Sequence, residues 1–334
     1  MEEANIIILL QVGGIMELYI GVDISKSRLD IDWLGTPLSF DNNDKGIKSL
    51  IRKLEKLQHE MKLTSLIFEA SGGYEKTLVR ACHEASIPVH VAHANKVRAF
   101  ARSKGLLAKT DKLDAVVLSE YGAVMKIQSD SIILSENAEK IRGLLVRREQ
   151  LINDRQRERN RLDKIHDKDI KTSIKSHIKW LDKQIENIDK KSSEYCQTQD
   201  VKPTHDLLTS IPSIGDLTAN HLIANLPELG KISHKAAAAL VGVAPYNRDS
   251  GNFRGKRYIQ GGRGQLRRVL YMAAIVSVRC NRDMAVFYHR LKASGKPSKV
   301  AIIAVIRKLL TVINSVIRRQ TPWQEKIAEN MNIV

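Results

Sequence analysis

The amino-acid sequence predicts an α/β domain at the N-terminus, then a helical insertion, then a mostly α-helical domain at the C-terminus. Three observations lead to this fold class. Strand-like and helix-like patterns alternate between residues 18 and 125, residues 144–202 contain neither Gly nor Pro, and turn-rich helical segments follow Pro203. We place the three domains at residues 16–128, 135–200 and 201–322.

Three strands open the N-terminal domain. "LYIGVDIS" (Leu18–Ser25) is a short apolar run typical of a buried strand, "SRLDIDWLG" alternates polar and apolar residues, and "LSFDNN" follows a Gly-Thr-Pro turn. A helix over "DKGIKSLIRKLEKLQHEM" and a strand over "TSLIFEA" come next. The remaining elements are a helix after Gly72-Gly73, a strand over "IPVHVAHA", and helices over "NKVRAFARSKG" and "KTDKLDAVVLSEYGAVM".

The insertion has the pattern of two long helices. Ile174, Ile178, Leu181, Ile185 and Ile188 recur at steps of four and three, which is a heptad spacing. A similar register runs from Ile141 to Ile165 but contains charged residues, and "HDKD" (His166–Asp169) is a natural break. A dimerising coiled coil and a solvated helical linker within one chain fit this pattern about equally.

The C-terminal domain begins with a segment that resembles a helix-hairpin-helix. In "HDLLTSIPSIGDLTANHLIANL" a tight turn separates two helices, and its glycine lets amide groups at a helix start approach a phosphate. A helix over "HKAAAALVG", a basic loop, and two amphipathic helices follow, over "GQLRRVLYMAAIVSVR" and "SKVAIIAVIRKLLTVINSVIRR".

The charge points to a polyanionic partner. The net charge is +17 with a pI near 9.7, and residues 201–334 hold 21 Lys or Arg against 7 Asp or Glu. The apolar run near the N-terminus is too short to span a bilayer and follows acidic residues, and we find no other span, so we expect nucleic acid and no membrane. Translation is expected to start at Met16, where the ordered pattern begins.

Cysteine usage places the chain in a reducing cytoplasm. Cys82, Cys196 and Cys280 are far apart and form no Cys-x-x-Cys or Cys/His cluster. "HVAH" (His90–His93) lies on an apolar strand without further ligands nearby, so a zinc site is not expected there.

Four carboxylates are candidates for a divalent-metal site. Asp23 and Glu69 end two strands, and Asp111 and Asp114 share one face of a helix. Carboxylates that converge repel one another unless cations lie between them, and Mg²⁺ or Mn²⁺ prefers such oxygen ligands and can assist phosphodiester displacement. Taken alone, Asp111 as a helix cap with Asp114 in the first turn explains "KTDKLDA" equally simply.

The basic loop contains one serine, Ser250, which is either a turn residue in a phosphate-gripping loop or a nucleophile. Residues 248–319 hold 17 Lys or Arg and only two acids. Asp249 is one of these and either orients Ser250 or caps the loop. No GxxxxGK[ST] motif is present, so no nucleotide cofactor is expected. The candidate phosphate-contacting residues are Arg254, Lys256, Arg257, Arg263, Arg267 and Arg268.

The outline and the order of the acids resemble the RNase H-like fold of RuvC-type nucleases. Five stretches in order, "YIGVDISK", "EASGGYE", "KTDKLDA", "IPSIGDLTANHLIANL" and "GVAPYNRDSGNFRGKRYIQGGRGQLRRVLYMAA", are similar to the DEDD transposases of bacterial insertion sequences. This family includes the pilin-gene invertases and the bridge-RNA-guided recombinases. The similarity extends from Met16 to about Arg319.

The resemblance implies roles for particular residues. The D-E-D-D set falls on Asp23, Glu69, Asp111 and Asp114, with Mg²⁺ or Mn²⁺ assisting, and the family serine, which holds DNA as a phosphoserine link, falls on Ser250. The resemblance also implies a dimerising coiled coil, an active site assembled from different protomers of a homodimer or homotetramer, and an element-encoded guide RNA that selects donor and target DNA. Such a protein would act at the nucleoid of a bacterial cytoplasm.

Two other functions remain to be weighed. A RuvC-like structure-specific endonuclease would use the four acids alone, with Ser250 as a DNA-binding loop residue. A catalytically silent nucleic-acid-binding protein would use neither, although the intact acids and serine argue against it. The products separate the first two hypotheses, because a nuclease releases free ends whereas a serine recombinase remains joined to DNA.

Overall fold

A computed structural model gives the fold, and it describes residues 10–12, 15–61, 63–106, 111–127, 134–247, 249–250, 253–255 and 257–324. The chain divides into two compact units, residues 1–133 and 134–334. The helices of the expected insertion belong to the second unit, together with the C-terminal helices.

The first unit is built on a mixed sheet. Its strands are β1 (Leu10–Val12), β2 (Ile15–Ile24), β3 (Arg28–Trp33), β4 (Thr36–Asp41), β5 (Leu63–Glu69) and β6 (Val89–Ala92). The order along the sheet is β4-β3-β2-β5-β6, and β1 pairs with β2. Strands β4, β3 and β2 are antiparallel neighbours, whereas β5 and β6 run parallel to β2. Three antiparallel strands followed by two parallel ones is the order expected of an RNase H-like domain. Strand β1 and the first residue of β2 precede Met16, where the ordered pattern was expected to begin.

Helices cover both faces of this sheet. The helices are α1 (Asp44–Glu60), α2 (Lys76–Glu84), α3 (Ala94–Ser103) and α4 (Asp111–Val124). Leu18, Ile20 and Val22 face the core that α1 and α2 close, whereas Tyr19 faces the core that α3 and α4 close. The central strand β2 is therefore buried on both sides, which explains why its sequence reads as a continuous apolar run.

The second unit begins with an antiparallel helical hairpin within one chain. Helix α5 (Glu136–Leu162) starts at the Ser135 cap, and α6 (Lys168–Cys196) starts at the Asp167 cap. Leu151, Leu181, Ile185 and Ile188 are buried between them, so the heptad residues of α6 pack against α5. This hairpin is the long-helix pair that the sequence predicts.

Two of the charged residues that interrupt the predicted heptad register are paired with acids across the hairpin. Arg148 donates to Asp189 at 2.7 Å, and Arg155 donates to Asp182 at 2.6 Å. Glu158 is buried and accepts a hydrogen bond from Arg161 at 2.6 Å. The two Arg–Asp pairs join α5 to α6 and fix the antiparallel register, whereas the Arg161–Glu158 pair lies within α5. The charged positions in the seam thus have partners within one chain.

The remaining elements of the second unit surround one core. They are α7 (Lys202–Thr209), α8 (Asp216–Asn225), α9 (His234–Val241), β7 (Pro245–Tyr246), β8 (Asp249–Ser250), β9 (Phe253–Arg254), β10 (Tyr258–Ile259), α10 (Gly264–Cys280), α11 (Arg282–Ala293) and α12 (Ser298–Arg319). The turn between α7 and α8 lies where the helix-hairpin-helix segment was expected. The short strands and α11 were not foreseen.

Helix α12 is long and apolar enough to cross a membrane by length and composition, and among the residues described it is the one helix that meets that test. Its apolar face is buried, however: Val305, Leu309 and Ile313 are fully covered by other helices of the unit. The hydropathy of α12 is accounted for by its place in the core, which the sequence analysis did not consider when it searched for spans.

A buried histidine makes the stability of the second unit depend on pH. The pKa of His221 on α8 is lowered from 6.5 to about 4, chiefly by burial and also by the nearby Arg148 and Arg268, whereas Glu149 opposes the shift. Because the folded state binds this proton less readily than the unfolded chain, stability is complete above pH 6.5 and falls towards pH 4, by up to about 3 kcal/mol. Urea unfolding of His221→Gln and of the parent protein at pH 7 and pH 4.5 measures this, and the variant should lose less stability on acidification. An equal loss in both proteins would contradict it.

Candidate active site

Two of the four candidate carboxylates end neighbouring parallel strands. In the β2–β5 pair, Val22 lies opposite Phe68, so Asp23 and Glu69 follow at the same level of the sheet. Val22 and Phe68 point into the core that α1 and α2 close, and alternation along a strand places Asp23 and Glu69 on the opposite face. Both acids are half-buried. The expectation that these two acids meet at one sheet edge is therefore met by the register.

Helix α4 brings the other two acids to the same edge. Gly122 lies against Tyr19, and further along β2 Gly21 lies against Ala115, so α4 runs antiparallel to β2. The first turn of α4, with Asp111 and Asp114, therefore lies at the carboxyl ends of β2 and β5. Asp114 is half-buried, and the side chain of Asp111 lies outside the described residues.

The close packing of α4 depends on Gly21. A Cβ at this position would lie 1.9 Å from the Ala115 carbonyl oxygen and 2.6 Å from the Ser119 amide nitrogen. Both are backbone atoms of α4, so a side chain cannot be accommodated by rotating a neighbour. Only glycine allows the helix to lie this close to the central strand.

We expect Gly21→Ala to displace α4 and to separate Asp111 and Asp114 from Asp23. Overpacking of this kind costs roughly 1–3 kcal/mol. If the four acids hold the metal, metal-dependent DNA cleavage should fall to background, because the first turn of α4 is displaced from the sheet edge. Thermal unfolding and cleavage assays on the same preparation measure both effects. Gly143→Ala on α5 is the matched control, since a Cβ there meets no atom within 4 Å. Full activity of Gly21→Ala would contradict the argument.

The donor chemistry of this edge fits a hard divalent cation. Asp23, Glu69 and Asp114 supply carboxylate oxygens, which Mg²⁺ and Mn²⁺ prefer. No metal-binding group of three or more His, Cys, Asp or Glu is formed by the residues searched, which do not include the side chain of Asp111. Asp23, Glu69 and Asp114 are among the residues searched and do not form such a group by themselves. The D-E-D-D set of the sequence analysis is the set that would hold a metal.

A further acid, which the sequence analysis did not single out, orders the loop after Glu69. Glu75 accepts hydrogen bonds from the Ser71 amide at 3.0 Å, the Ser71 hydroxyl at 2.7 Å and the Gly73 amide at 2.9 Å. Burial alone would raise the pKa of Glu75, but these hydrogen bonds outweigh it and lower the pKa. Glu75 therefore remains ionised and holds the Gly72-Gly73 turn beside the sheet edge.

Ser250 lies near the end of a β-hairpin in the second unit. Strand β7 pairs with β10, with Tyr246 opposite Tyr258, and β8 pairs with β9, with Ser250 opposite Phe253. The backbone therefore places Ser250 next to the tip of the hairpin, where β8 is followed by β9. The side chains of Ser250 and Arg254 and all of Lys256 lie outside the described residues. We refer to residues 245–259 as the serine hairpin.

Two glycines close the base of the serine hairpin. Gly242 has a φ of +78° and Gly262 a φ of +68°, a region that favours glycine. A Cβ on Gly242 would lie 2.2 Å from the Gly261 carbonyl oxygen, and one on Gly262 would lie 2.3 Å from the Gly242 amide nitrogen. The two ends of the hairpin are thus in direct backbone contact.

Arg267 fastens the same two ends together. Its Nη1 donates to the Gly242 carbonyl at 3.1 Å and to the Gly261 carbonyl at 2.7 Å. One guanidinium group therefore bridges the chain entering the hairpin and the chain leaving it. The sequence suggested a phosphate contact for Arg267. In the structure its guanidinium group instead hydrogen-bonds two backbone carbonyls at the base of the hairpin.

Two other predicted phosphate ligands also have partners within the second unit. Arg263 donates to the Asn225 carbonyl at 2.8 Å and forms a bidentate pair with Glu228, and its amide donates to the Leu240 carbonyl at 2.7 Å. Arg268 on α10 pairs with Glu149 on α5, although its side chain is 65% exposed. Of the six predicted residues, Arg257 is exposed without a carboxylate partner among the residues described.

Comparison with known proteins relates both sets of residues to one family. A model described as "Transposase" matches residues 20–168, which include the four acids, and one described as "Transposase IS116/IS110/IS902 family" matches residues 205–289, which include Ser250. The pilin gene-inverting protein of Moraxella bovis is 30% identical over 325 residues, covering 93% of this chain and 99% of that protein. The chain belongs to the IS116/IS110/IS902 transposase family. Members of this family are DNA strand-transfer enzymes.

A second pilin gene-inverting protein and an insertion-element protein agree with the family assignment. The pilin gene-inverting protein of Moraxella lacunata is also 30% identical, over the same shares of both chains. A 43.6 kDa protein of insertion element IS110 from Streptomyces coelicolor is 26% identical over 134 residues, which is 39% of this transposase and 33% of that protein. Two Thermus thermophilus RuvC structures, one with a Holliday junction, share 12% identity with 34% of the chain, with TM-scores of 0.24 and 0.26.

Proposed function

We propose that this transposase cuts and rejoins DNA by forming a covalent bond between Ser250 and a DNA phosphate, with Asp23, Glu69, Asp111 and Asp114 holding a divalent metal. The observation that carries the proposal is the serine hairpin. The backbone of Ser250 is paired within a hairpin whose base is joined by Arg267 and by the close contact of two glycines, which supports a positioned serine. A nucleophile needs such positioning, whereas a loop that only holds phosphates does not.

The covalent step conserves the number of phosphodiester bonds. The Ser250 hydroxyl oxygen bonds to phosphorus, the bond from phosphorus to one bridging DNA oxygen breaks, and the hydroxyl proton passes to that oxygen. One DNA strand then ends in a hydroxyl group, and the other is joined to serine. A second DNA hydroxyl reverses the step and releases Ser250, so no nucleotide cofactor is needed.

Serine needs activation, because its hydroxyl is a weak nucleophile at its ordinary pKa. A divalent metal held by the four acids, Mg²⁺ or Mn²⁺, supplies positive charge that favours an ionised oxygen and neutralises phosphate. Asp23 and Glu69, at the ends of adjacent strands, would supply two of the ligands, and Asp111 and Asp114 on α4 would supply the others. Arg257 and, by sequence, Arg254 and Lys256 add positive charge where the phosphate becomes more negative.

The family and the charge support DNA as a partner, and a guide RNA and a second protomer complete the proposal. The Moraxella relatives are named for inverting a pilin gene, and we extend DNA rearrangement to this chain, with donor and target DNA as substrates at the bacterial nucleoid. A guide RNA that pairs with both DNAs would account for site choice, since phosphate contacts from Lys and Arg carry no sequence information. A homodimer or homotetramer would let one protomer supply the acids and another the serine.

The product of the reaction tests this proposal. Purified protein is incubated with its element RNA, Mg²⁺ and labelled donor and target duplexes nicked beside the cut site, and the products are separated on a denaturing gel. We expect a protein–DNA adduct that protease digestion and mass spectrometry map to the peptide containing Ser250. Free cut ends without an adduct would overturn the proposal and support a RuvC-like endonuclease in which Ser250 only lies in a DNA-binding loop.

A further inference from the structure

A second cationic surface lies outside the serine hairpin. Between residues 282 and 308, which span α11 and the first half of α12, there are seven Lys or Arg and one acid, Asp283. None of these cations forms an ion pair with a carboxylate in the part of the chain that the structure describes. We call these residues the α11–α12 cationic surface: Arg282, Arg290, Lys292, Lys296, Lys299, Arg307 and Lys308.

Two of these cations converge on one aromatic ring. The Lys308 ammonium lies 4.9 Å from the centroid of Phe287, and the Arg290 guanidinium lies 5.4 Å from the same centroid. Lys308 also donates to the Asp283 carbonyl at 3.2 Å, which holds it in place. Both cations therefore lie beside Phe287, where each would attract a phosphate anion.

Several arginines elsewhere in the second unit are paired with acids. Arg148, Arg155 and Arg263 each face an Asp or Glu. A surface that serves only solubility also mixes both signs of charge. The α11–α12 cationic surface differs from both, because seven cations share this segment with a single acid and none of them pairs with a carboxylate among the described residues, as expected of a surface that meets a polyanion.

We infer that the α11–α12 cationic surface binds backbone phosphates of duplex DNA at a distance from the serine hairpin. Helix α10 has 17 residues and so is about 25 Å long, and it separates Arg282 from the base of the hairpin. That length corresponds to roughly seven base pairs at 3.4 Å each. The surface would therefore hold duplex flanking the cut site, without reading its sequence. This inference rests on the action of the family on DNA and not on the role of Ser250.

The salt dependence of DNA binding tests the inference. Arg290→Gln/Lys308→Gln removes two charges from the surface, and Lys175→Gln/Lys179→Gln removes two from the exposed face of α6 as a matched control. Binding of each full-length protein to a labelled duplex of about 30 base pairs is measured by fluorescence anisotropy at several salt concentrations. We expect the first variant to bind roughly tenfold more weakly at low salt, with a log–log slope shallower by roughly 1.8, about 0.9 for each lost phosphate contact.

Three results would overturn the inference. One is an equal loss in both double variants, which would show an effect of net charge alone. Another is an unchanged slope in Arg290→Gln/Lys308→Gln. The third is weaker binding to a structured RNA hairpin with unchanged DNA binding, which would assign the surface to RNA. If the parent protein forms no adduct, the proposed serine chemistry fails, but the comparison of salt slopes still decides this inference.

Discussion

Ser250→Ala is expected to abolish the protein–DNA adduct and strand rejoining, while DNA binding stays within about twofold of the parent protein. Removal of a nucleophile lowers turnover by roughly 10⁴-fold or more, because no other group takes its place. Binding persists because the basic side chains that contact phosphates remain. Adduct formation on a nicked duplex and anisotropy on the same duplex measure the two quantities on one preparation.

Substitution of a metal-binding acid should abolish the adduct in this assay, just as substitution of Ser250 does. Asp111→Asn keeps the size of the side chain but removes a charged metal ligand, and it too should remove the adduct. Asp249→Asn is the nearby control and should retain most of the activity if Asp249 only caps the loop. Cut ends that survive Ser250→Ala and vanish in Asp111→Asn would show a nuclease and refute the covalent mechanism.

The sheet of the first unit could be predicted from the sequence because each strand has a strong local signal. Leu18–Ser25 is apolar on both faces, as a central strand covered by helices must be, and Leu63–Glu69 repeats that pattern. The acids Asp23 and Glu69 end these strands, so knowing the strands was enough to place both acids at one edge. The early strand β1 was missed because its residues precede this pattern.

The base of the serine hairpin could not be predicted in the same way. Its strands have two residues each, too short for an alternating pattern, and the contacts that close it join residues about 20 positions apart. An arginine that bridges two carbonyls has the same sequence signature as one that binds phosphate. The partners of Arg263 and Arg267 therefore became visible only in the structure.

Helix α11 shows a signal that was present but not used. Asn281 caps its first turn through the Met284 amide, and Met284, Phe287 and Leu291 recur at helical spacing. The sequence analysis read only the helices on either side of this segment. The α11–α12 cationic surface depends on that helix, because the helix carries both Arg290 and the Phe287 ring that Lys308 approaches.

Gly242→Ala is expected to remove most adduct formation, whereas Gly261→Ala should retain most of it. Both residues have positive φ, +78° and +66°, so both substitutions carry a similar backbone strain of roughly 1–2 kcal/mol. Only at Gly242 would the new Cβ also collide with another part of the chain, at 2.2 Å from the Gly261 oxygen and 2.4 Å from Arg267 Nη1. At Gly261 a Cβ meets no atom within 4 Å. The difference between the two variants therefore isolates the contact that closes the hairpin.

Arg267 should behave as a positioning residue in the same experiment. In Arg267→Gln the adduct should form at least tenfold more slowly at saturating DNA, since one neutral amide cannot hold the Gly242 and Gly261 carbonyls as the guanidinium does. The salt dependence of DNA binding should be unchanged, because the Arg267 guanidinium donates hydrogen bonds to carbonyl groups of the same chain and not to phosphates. A guanidinium salt at low millimolar concentration should restore part of the rate in Arg267→Ala. A slope shallower by roughly 0.9 with no loss of saturated rate would instead identify Arg267 as a phosphate ligand.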